Sequence, residues 1–238
     1  MKIENSKVFN FDGAFRGMRN PLESWDKSDS EFLIDLDMED SECNGLKEVV
    51  CLGEADLKLA QKLIRAGSCH AKFMRQIFVS VDITGPLYWW KEMDTYKVAT
   101  TANSTSTMHK ILSRPIALDC FEIDDFNNIT YPKEAQRDEL KYPIDEDFVQ
   151  MCLIPYLEYL RQKAVEYKNK DEYLFKYYWK ELIRWLPESW LQTRTWTASY
   201  ETLRNIYKWR KDHKLTEWHT FCDWIETLPY AQELIMVE

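Results

Sequence analysis

Hydroxyl and amide side chains crowd the run from Thr100 to Thr107, which reads Thr-Thr-Ala-Asn-Ser-Thr-Ser-Thr. Short hydroxyls and exposed backbone N–H groups can hold a phosphate without many cations, so one interpretation of this run is an anion cradle. The same residue types cap helices and stabilise turns, which is the alternative interpretation. The side chains that would bind a ligand here are those of Asn103, Thr105, Ser106 and Thr107.

Arg210 is the second candidate for chemistry. It follows Ile206 by four residues and Leu203 by seven, so a regular helix places its guanidinium on the same face as these apolar side chains. A charge on an apolar face is costly without a partner, and the sequence therefore predicts an anionic partner. A protein carboxylate can fill this role, and so can a ligand phosphate or pyrimidine carbonyl.

Several kinds of catalytic site have no counterpart in the sequence. The four histidines show neither HxxxH nor HExxH spacing, so we expect no metal site. There are only six glycines and no GxSxG, P-loop or GxGxxG motif, which argues against covalent serine hydrolysis and P-loop phosphotransfer. The ten tryptophans are interpreted mainly as core and subunit-contact residues, with flavin stacking as the alternative for one of them.

Composition limits the class of protein. A chain of 238 residues, 45% of them hydrophobic, can bury a substantial core, and we expect one domain over residues 1–238. The net charge of −9 gives no global basic field, so nucleic acid is not an expected partner. The six cysteines are scattered without a CxxC pair, which is typical of reduced thiols in the cytoplasm. No apolar run is long enough for a membrane span or signal peptide, so we expect no membrane association.

Periodicity predicts the elements around these candidates. Apolar residues recur as in an amphipathic helix from Ala55 to Ala66, and Gly67 is placed to end it. Ile77, Val79, Val81 and Ile83 then alternate with polar residues, as in a strand with one buried face, which Thr84-Gly85-Pro86 should end. The residues from Leu87 to Val98 read as a helix.

The second half of the chain reads as mostly helical. A long helical stretch runs from Asp145 to Leu186, with a break near 169–171, and Pro187 stops it. Two more helices, Tyr200 to Arg210 and Glu217 to Leu228, close the chain. Two acidic stretches, Asp26 to Asp40 and Glu122 to Asp145, read as irregular, either as surface loops or as insertions.

The order of these elements resembles that of the flavin-dependent thymidylate synthases. The similarity is best over 54–86 and 182–225, including LKLAQKLIRAGSCH at 57–70 and Trp196-Thr197 in the late segment. Counted from Pro86, the family motif R-H-R-x-x-S-x-N-E-x-S-x-R-Y places R-H-R on Thr95-Tyr96-Lys97 and its two serines on Thr100 and Thr105. Its N-E falls on Ala102-Asn103 and its R-Y on Thr107-Met108, so a basic third position and two hydroxyls are retained.

The resemblance assigns roles to further residues. The family's histidine before the strand matches His70, and the substrate-binding arginine of its late helix matches Arg210. The asparagine and arginine that follow its W-T dipeptide fall on Ser199 and Glu201. The resemblance therefore implies that His70, Lys97, Thr100 and Ser199 contact the flavin cofactor; it assigns no catalytic residue.

The family resemblance implies a fold and a reaction. The fold is α/β (α+β), an antiparallel sheet flanked by long helices, assembled as a homotetramer that holds FAD between subunits with dUMP beside it. Reduced flavin, recharged by NADPH, passes the methylene of methylenetetrahydrofolate to C5 of the pyrimidine. Two functions remain open: an enzyme that modifies C5 of a deoxyuridine nucleotide, and a non-catalytic nucleotide-binding or oligomeric interaction protein on the same scaffold.

Overall fold

The computed structural model describes residues 1–37, 45–123 and 149–237. It is a mixed structure of helices and antiparallel sheet, so the predicted fold class is confirmed. By their internal contacts the residues form two compact units. The first unit comprises Met1, Thr84–Met93 and Ser104–Arg194, and the second comprises Lys2–Ile83, Asp94–Asn103 and Thr195–Glu238. A single domain over residues 1–238 stays a prediction.

Strands and helices are both distributed along the described residues. The strands are β1 (Lys2–Phe9), β2 (Glu31–Asp37), β3 (Gly45–Cys51), β4 (Phe78–Pro86), β5 (Thr101–Ser104) and β6 (Leu191–Ser199). The α-helices are α1 (Phe11–Arg19), α2 (Glu54–Arg65), α3 (Leu87–Met93), α4 (Thr107–Lys110), α5 (Ile154–Tyr167), α6 (Glu172–Trp185), α7 (Tyr200–Arg210) and α8 (Thr216–Glu226). Short 3₁₀ turns include Asn20–Leu22, Trp25–Lys27 and Lys72–Arg75, and π-helical turns lie at Val149–Leu153 and Ala231–Ile235.

The main sheet has four strands in the order β1-β4-β6-β5. In β4, Val79, Val81 and Ile83 are fully buried, as their alternation predicts. The strand ends at Pro86, the last residue of Thr84-Gly85-Pro86, so the predicted end of the strand is confirmed. Strands β2 and β3 form a separate antiparallel pair, which places a strand where an irregular stretch from Asp26 to Asp40 was expected; residues 38–40 lie outside the described part of the chain.

Helix α2 matches the sequence prediction closely. Ala60 and Ile64 are buried, and Gly67 adopts φ +104°, a left-handed conformation that favours glycine after a helix. A buried ion pair joins the N-terminal turn of α2 to α1: Arg19 of α1 donates its Nε–H to Asp56 Oδ1 of α2 at 2.6 Å. Ser28 and Ser30 donate their hydroxyls to the other carboxylate oxygen at 2.7 and 2.6 Å.

Helices α5 and α6 dominate the first unit. The helical stretch is interrupted between Tyr167 and Glu172, so the predicted break is confirmed. Asp171 caps α6 by accepting the N–H of Leu174 at 3.0 Å. The apolar faces of the two helices pack into a buried cluster of Ile111, Ile116, Cys120, Phe121, Leu157, Leu160, Leu182 and Trp190. Residues 124–148, which contain most of the predicted acidic stretch Glu122 to Asp145 and the start of the predicted helical region, lie outside the described residues.

Two further predictions are refined near the candidate residues. Helix α3 ends at Met93, so the predicted helix to Val98 was too long, and Tyr96 and Lys97 follow it in a turn. The predicted final helices are confirmed: α7 has the predicted ends, and the ends of α8 are shifted by one and two residues.

Five cysteines of the described part, Cys51, Cys69, Cys120, Cys152 and Cys222, are unbridged; Cys43 lies outside it. No helix of the described part is long and apolar enough to cross a membrane.

Candidate functional site

Arg210 lies in the last turn of α7, on the side of the helix predicted from the sequence. Ile206 and Leu203, one and two turns earlier, are fully buried, and Arg210 is half-buried. Its Nε–H is donated to the hydroxyl of Tyr96 at 2.9 Å. The guanidinium carbon lies 4.6 Å from the centre of the Trp218 ring and 5.6 Å from that of Tyr96. The cation is therefore packed against two aromatic rings of the second unit.

This packing fixes the plane of a strong hydrogen-bond donor. A cation over an aromatic ring is attracted by the ring's electron density, and the Tyr96 and Trp218 rings pack edge to face with centres 6.1 Å apart. A guanidinium has five N–H donors in one plane, and Tyr96 receives one of them. A group held in this way can recognise a phosphate or a carbonyl with defined geometry.

The turn from Tyr96 to Thr100 is fastened to α7 by backbone acceptors. Thr100 donates its hydroxyl to the carbonyl of Tyr96 at 2.9 Å. Thr202 of α7 donates its hydroxyl to the carbonyl of Val98 at 3.2 Å. Between them Ala99 has φ 55°, a left-handed conformation that is uncommon for a residue with a Cβ. These contacts hold Tyr96 beside Arg210, while Lys97 is exposed to solvent.

Ser199 and Glu201 have local structural partners at the start of α7. Ser199 is buried and caps the helix, because its hydroxyl accepts the N–H of Thr202 at 3.3 Å. Glu201 accepts two hydrogen bonds from Arg75, from Nε at 2.5 Å and from Nη2 at 3.1 Å. This ion pair raises the pKa of Arg75, chiefly through the hydrogen bond from its guanidinium to Glu201.

His70 is exposed in the turn that follows α2. Its backbone N–H is donated to the carbonyl of Gly67 at 2.9 Å, so the glycine's left-handed conformation sets the position of the histidine. The side chain lines a pocket of about 360 Å³ together with apolar residues of α1 and α2.

The hydroxyl-rich run forms ordered backbone rather than a loop. Residues Thr101–Ser104 are the exposed strand β5, which carries Asn103. Ser106 caps α4 by accepting the N–H of His109 at 3.3 Å, so capping, one of the two interpretations of the run, is observed. Thr105 donates its N–H to Thr193 at 2.8 Å, and its carbonyl accepts from Gln192 Nε2 at 3.1 Å. The four-residue helix α4, which begins at Thr107, is too short to give the anion cradle a useful helix terminus.

The residues predicted to bind the nucleotide or the flavin belong to both units. Arg210, His70, Lys97, Thr100, Ser199 and Asn103 belong to the second unit, and Thr105, Ser106 and Thr107 belong to the first. Sequence reasoning missed Tyr96 and Trp218 as the groups that hold Arg210. No local pattern marks them, because Tyr96 is separated from Arg210 by 114 residues.

The four predicted flavin contacts are a poor chemical match for a pyrophosphate. The hydroxyl of Ser199 is engaged in a helix cap, and that of Thr100 is donated to a backbone carbonyl. Lys97 is then the one cation of the set, whereas a pyrophosphate group carries at least two negative charges. Across the described ranges, no group of three or more His, Cys, Asp or Glu side chains could hold a metal ion.

Comparison with known proteins identifies the fold but no sequence family. No protein-family model matches the chain, and no curated protein matches its sequence. A crystal structure of the flavin-dependent thymidylate synthase ThyX from Helicobacter pylori, complexed with FAD and dUMP, aligns with a TM-score of 0.60 and 17% identity over 99% of this chain and 98% of that chain. A second crystal structure of that enzyme with FAD and dUMP, at 2.31 Å resolution, gives the same TM-score and identity over 99% and 97%. The chain therefore has a ThyX-like fold.

Proposed function

We propose that this chain binds a deoxyuridine nucleotide and that Arg210 holds it. The observation that carries the proposal is the fixed guanidinium of Arg210, which donates to Tyr96 and packs on Trp218. Two structures of similar fold contain dUMP, and each aligns with 99% of this chain. A phosphate or a pyrimidine carbonyl is an acceptor that a guanidinium held in a fixed plane recognises well.

Asn103, Thr105, Ser106 and Thr107 are proposed as further nucleotide contacts on the strength of their sequence. Thr105 is exposed, and Ser106 and Thr107 are half-buried. We also propose that the protein acts as a homo-oligomer, as the resemblance implies; a tetramer is the expected state.

A second candidate function is modification of C5 of that nucleotide with the carbon unit of methylenetetrahydrofolate. It is favoured by the similar structures, which contain FAD as well as dUMP. FAD, recharged by NADPH, would supply the reducing equivalents. Ser199 accepts a backbone N–H as a helix cap, and Thr100 donates its hydroxyl to a backbone carbonyl. We therefore expect weak retention of FAD, and nucleotide binding that is stronger than catalysis.

Calorimetry with dUMP tests the binding proposal. We expect the wild type to bind and Arg210→Ala to bind about 10- to 150-fold more weakly, which corresponds to the loss of a hydrogen bond to a charged group. Arg210→Lys should recover only part of the affinity, because lysine keeps the charge and loses the planar fork. The matched control is Arg184→Ala, which removes an exposed arginine paired with Glu181 and should leave the affinity unchanged. Equal affinities of wild type and Arg210→Ala, or no binding by either, would remove the proposal.

Tritium release separates the two candidate functions. Replacing hydrogen by a methyl group at C5 sends the C5 hydrogen to water, so dUMP tritiated at C5 reports the reaction. The assay contains FAD, NADPH and methylenetetrahydrofolate, and the absorption spectrum of the purified protein reports retained flavin. Binding of dUMP without tritium release would favour the non-catalytic function, whereas rapid release would show that the remaining residues support catalysis.

A further inference from the structure

The pocket beside His70 is built from three segments of the second unit. Its volume is about 360 Å³, and it lies between α1, α2 and the segment 69–73. Met18 and Phe73 line it and are 5% and 3% exposed. Leu59 and Leu63, one turn apart on α2, add half-buried apolar surface, and Leu22 lines it while 70% exposed. A concave apolar surface of this size is in the range of small-molecule sites.

The described side chains that line this pocket include basic ones and no acidic one. Lys72 and His70 both line the pocket, and no acidic residue is among the lining residues of the described chain. The chain as a whole has a net charge of −9, so a lining with a cation and no carboxylate contrasts with the protein's average. An ammonium and an imidazole beside an apolar cavity match an occupant with an anionic head and a hydrocarbon body.

The volume limits the size of that occupant. At about 30 Å³ for each non-hydrogen atom, the share of a water molecule in the liquid, a pocket of this volume holds roughly twelve such atoms. An occupant of roughly ten to twelve non-hydrogen atoms therefore fits this volume. Arg210 is not among the lining residues, so the pocket is a candidate site separate from the proposed nucleotide contact.

We propose that this pocket binds a small apolar monocarboxylate of roughly eight to ten carbon atoms. Its carboxylate is held by Lys72 and His70, and its hydrocarbon body packs against Leu59, Leu63 and Phe73. This site goes beyond the proposed function and does not depend on it, because neither dUMP nor Arg210 enters the argument.

Calorimetry with octanoate tests the site on the whole chain. We expect one octanoate for each chain, and at least fivefold weaker binding of octanol, which has a hydrocarbon body of the same length without the charge. Leu63→Trp fills the pocket and should abolish binding. Lys72→Gln removes the cation and should weaken octanoate binding at least fivefold without affecting octanol. The matched control is Lys7→Gln, an exposed lysine on β1 that does not line the pocket and should change nothing.

Thermal unfolding of each variant shows whether it is folded. If Leu63→Trp does not fold, Leu59→Phe is a second variant that fills the pocket with a smaller increase in volume. Absence of octanoate binding by the wild type overturns the proposal, as does unchanged binding in a folded pocket-filling variant. Equal affinity for octanoate and octanol, or full affinity in Lys72→Gln, overturns the assignment of a carboxylate. Titration of the same variants with dUMP keeps the two sites distinguishable, because filling this pocket should leave dUMP binding intact.

Discussion

Arg210 donates its Nε–H to the hydroxyl of Tyr96, a residue 114 positions earlier in the chain, at 2.9 Å. The tyrosine follows the end of α3 in a turn whose carbonyls accept from Thr100 and from Thr202 of α7. The position of the guanidinium is thus set by a turn that is itself anchored to the helix carrying Arg210. This arrangement makes Tyr96 a positioning residue for the proposed nucleotide contact.

Tyr96→Phe should weaken dUMP binding about 2- to 10-fold. The substitution keeps the ring beside Arg210 and removes one hydrogen bond, which contributes about 0.5–1.5 kcal/mol. Calorimetry with dUMP measures the effect, and Arg210→Ala should have the larger one. Tyr156→Phe, at an exposed position on α5, is the matched control. If Tyr96→Phe bound dUMP as tightly as the wild type, the tyrosine would have no positioning role.

Ser199→Ala tests whether this serine is a helix cap or a flavin contact. Its hydroxyl accepts the N–H of Thr202 at the start of α7, and losing such a cap lowers the free energy of unfolding by about 0.5–2 kcal/mol. We expect this destabilisation in denaturant unfolding, with FAD retention equal to that of the wild type. Loss of flavin binding in a variant of full stability would instead restore the cofactor-binding role that the resemblance implies.

Asp56→Ala should be strongly destabilising. The Asp56 side chain is fully buried and that of Arg19 is 6% exposed, so removal of one partner leaves an uncompensated buried charge that costs about 3–5 kcal/mol. Denaturant unfolding measures the loss. The double variant Arg19→Met with Asp56→Leu should recover part of the lost stability, because an apolar pair leaves no charge unpaired.

The control is Glu54→Ala, which breaks an exposed ion pair with Lys58 on the same helix and should change stability by less than about 1 kcal/mol. An Asp56→Ala variant as stable as Glu54→Ala would contradict the argument.

Glu158 should make the first unit sensitive to acid. The hydrogen bond from Arg161 is the main cause that lowers its pKa from 4.5 to about 2; burial opposes this shift, and the N–H of Ile116 adds to it. A carboxyl whose folded pKa is depressed stabilises the fold above its unfolded pKa, and this contribution of about 1–3 kcal/mol disappears as the pH falls from about 4.5 to about 2. Unfolding of wild type and Glu158→Gln between about pH 2 and pH 7 measures it. Their difference should be largest near neutrality and shrink in acid; a constant difference would contradict the predicted linkage.

The sequence predicted the buried elements better than the edges of the sheet. Strand β4 and helix α2 bury one face, so their apolar residues alternate or recur visibly. Strands β1 and β5 are the two ends of the sheet order, and nearly all of their residues are exposed, so no apolar alternation marks them. Helix α1 contains two glycines that lower its helical propensity, and its buried Phe11, Phe15 and Met18 show that packing stabilises it.

The candidate site was predictable only as far as local spacing reaches. The helical positions of Leu203, Ile206 and Arg210 gave the correct face of α7. The partners of Arg210 are Tyr96, which comes from a distant turn, and Trp218, which belongs to the next helix, so helix periodicity within α7 does not identify them. The hydroxyls of Ser106 and Ser199 were ambiguous because serine can cap a helix or bind a ligand, and the structure shows that both cap helices.

Light scattering at micromolar concentration should give a mass at least twice the 28.6 kDa of one chain. The reason is the exposed aromatic surface of α6, where Tyr173 and Tyr177 lie one turn apart and are 78% and 52% exposed. Exposed aromatic rings on one helix face are commonly covered by another subunit. Replacing both tyrosines by lysine should lower the mass, while Lys168→Ala, at an exposed position just after α5, should not. A wild-type monomer would contradict the prediction and would also weaken the enzymatic candidate, since the resemblance implies a flavin site between subunits.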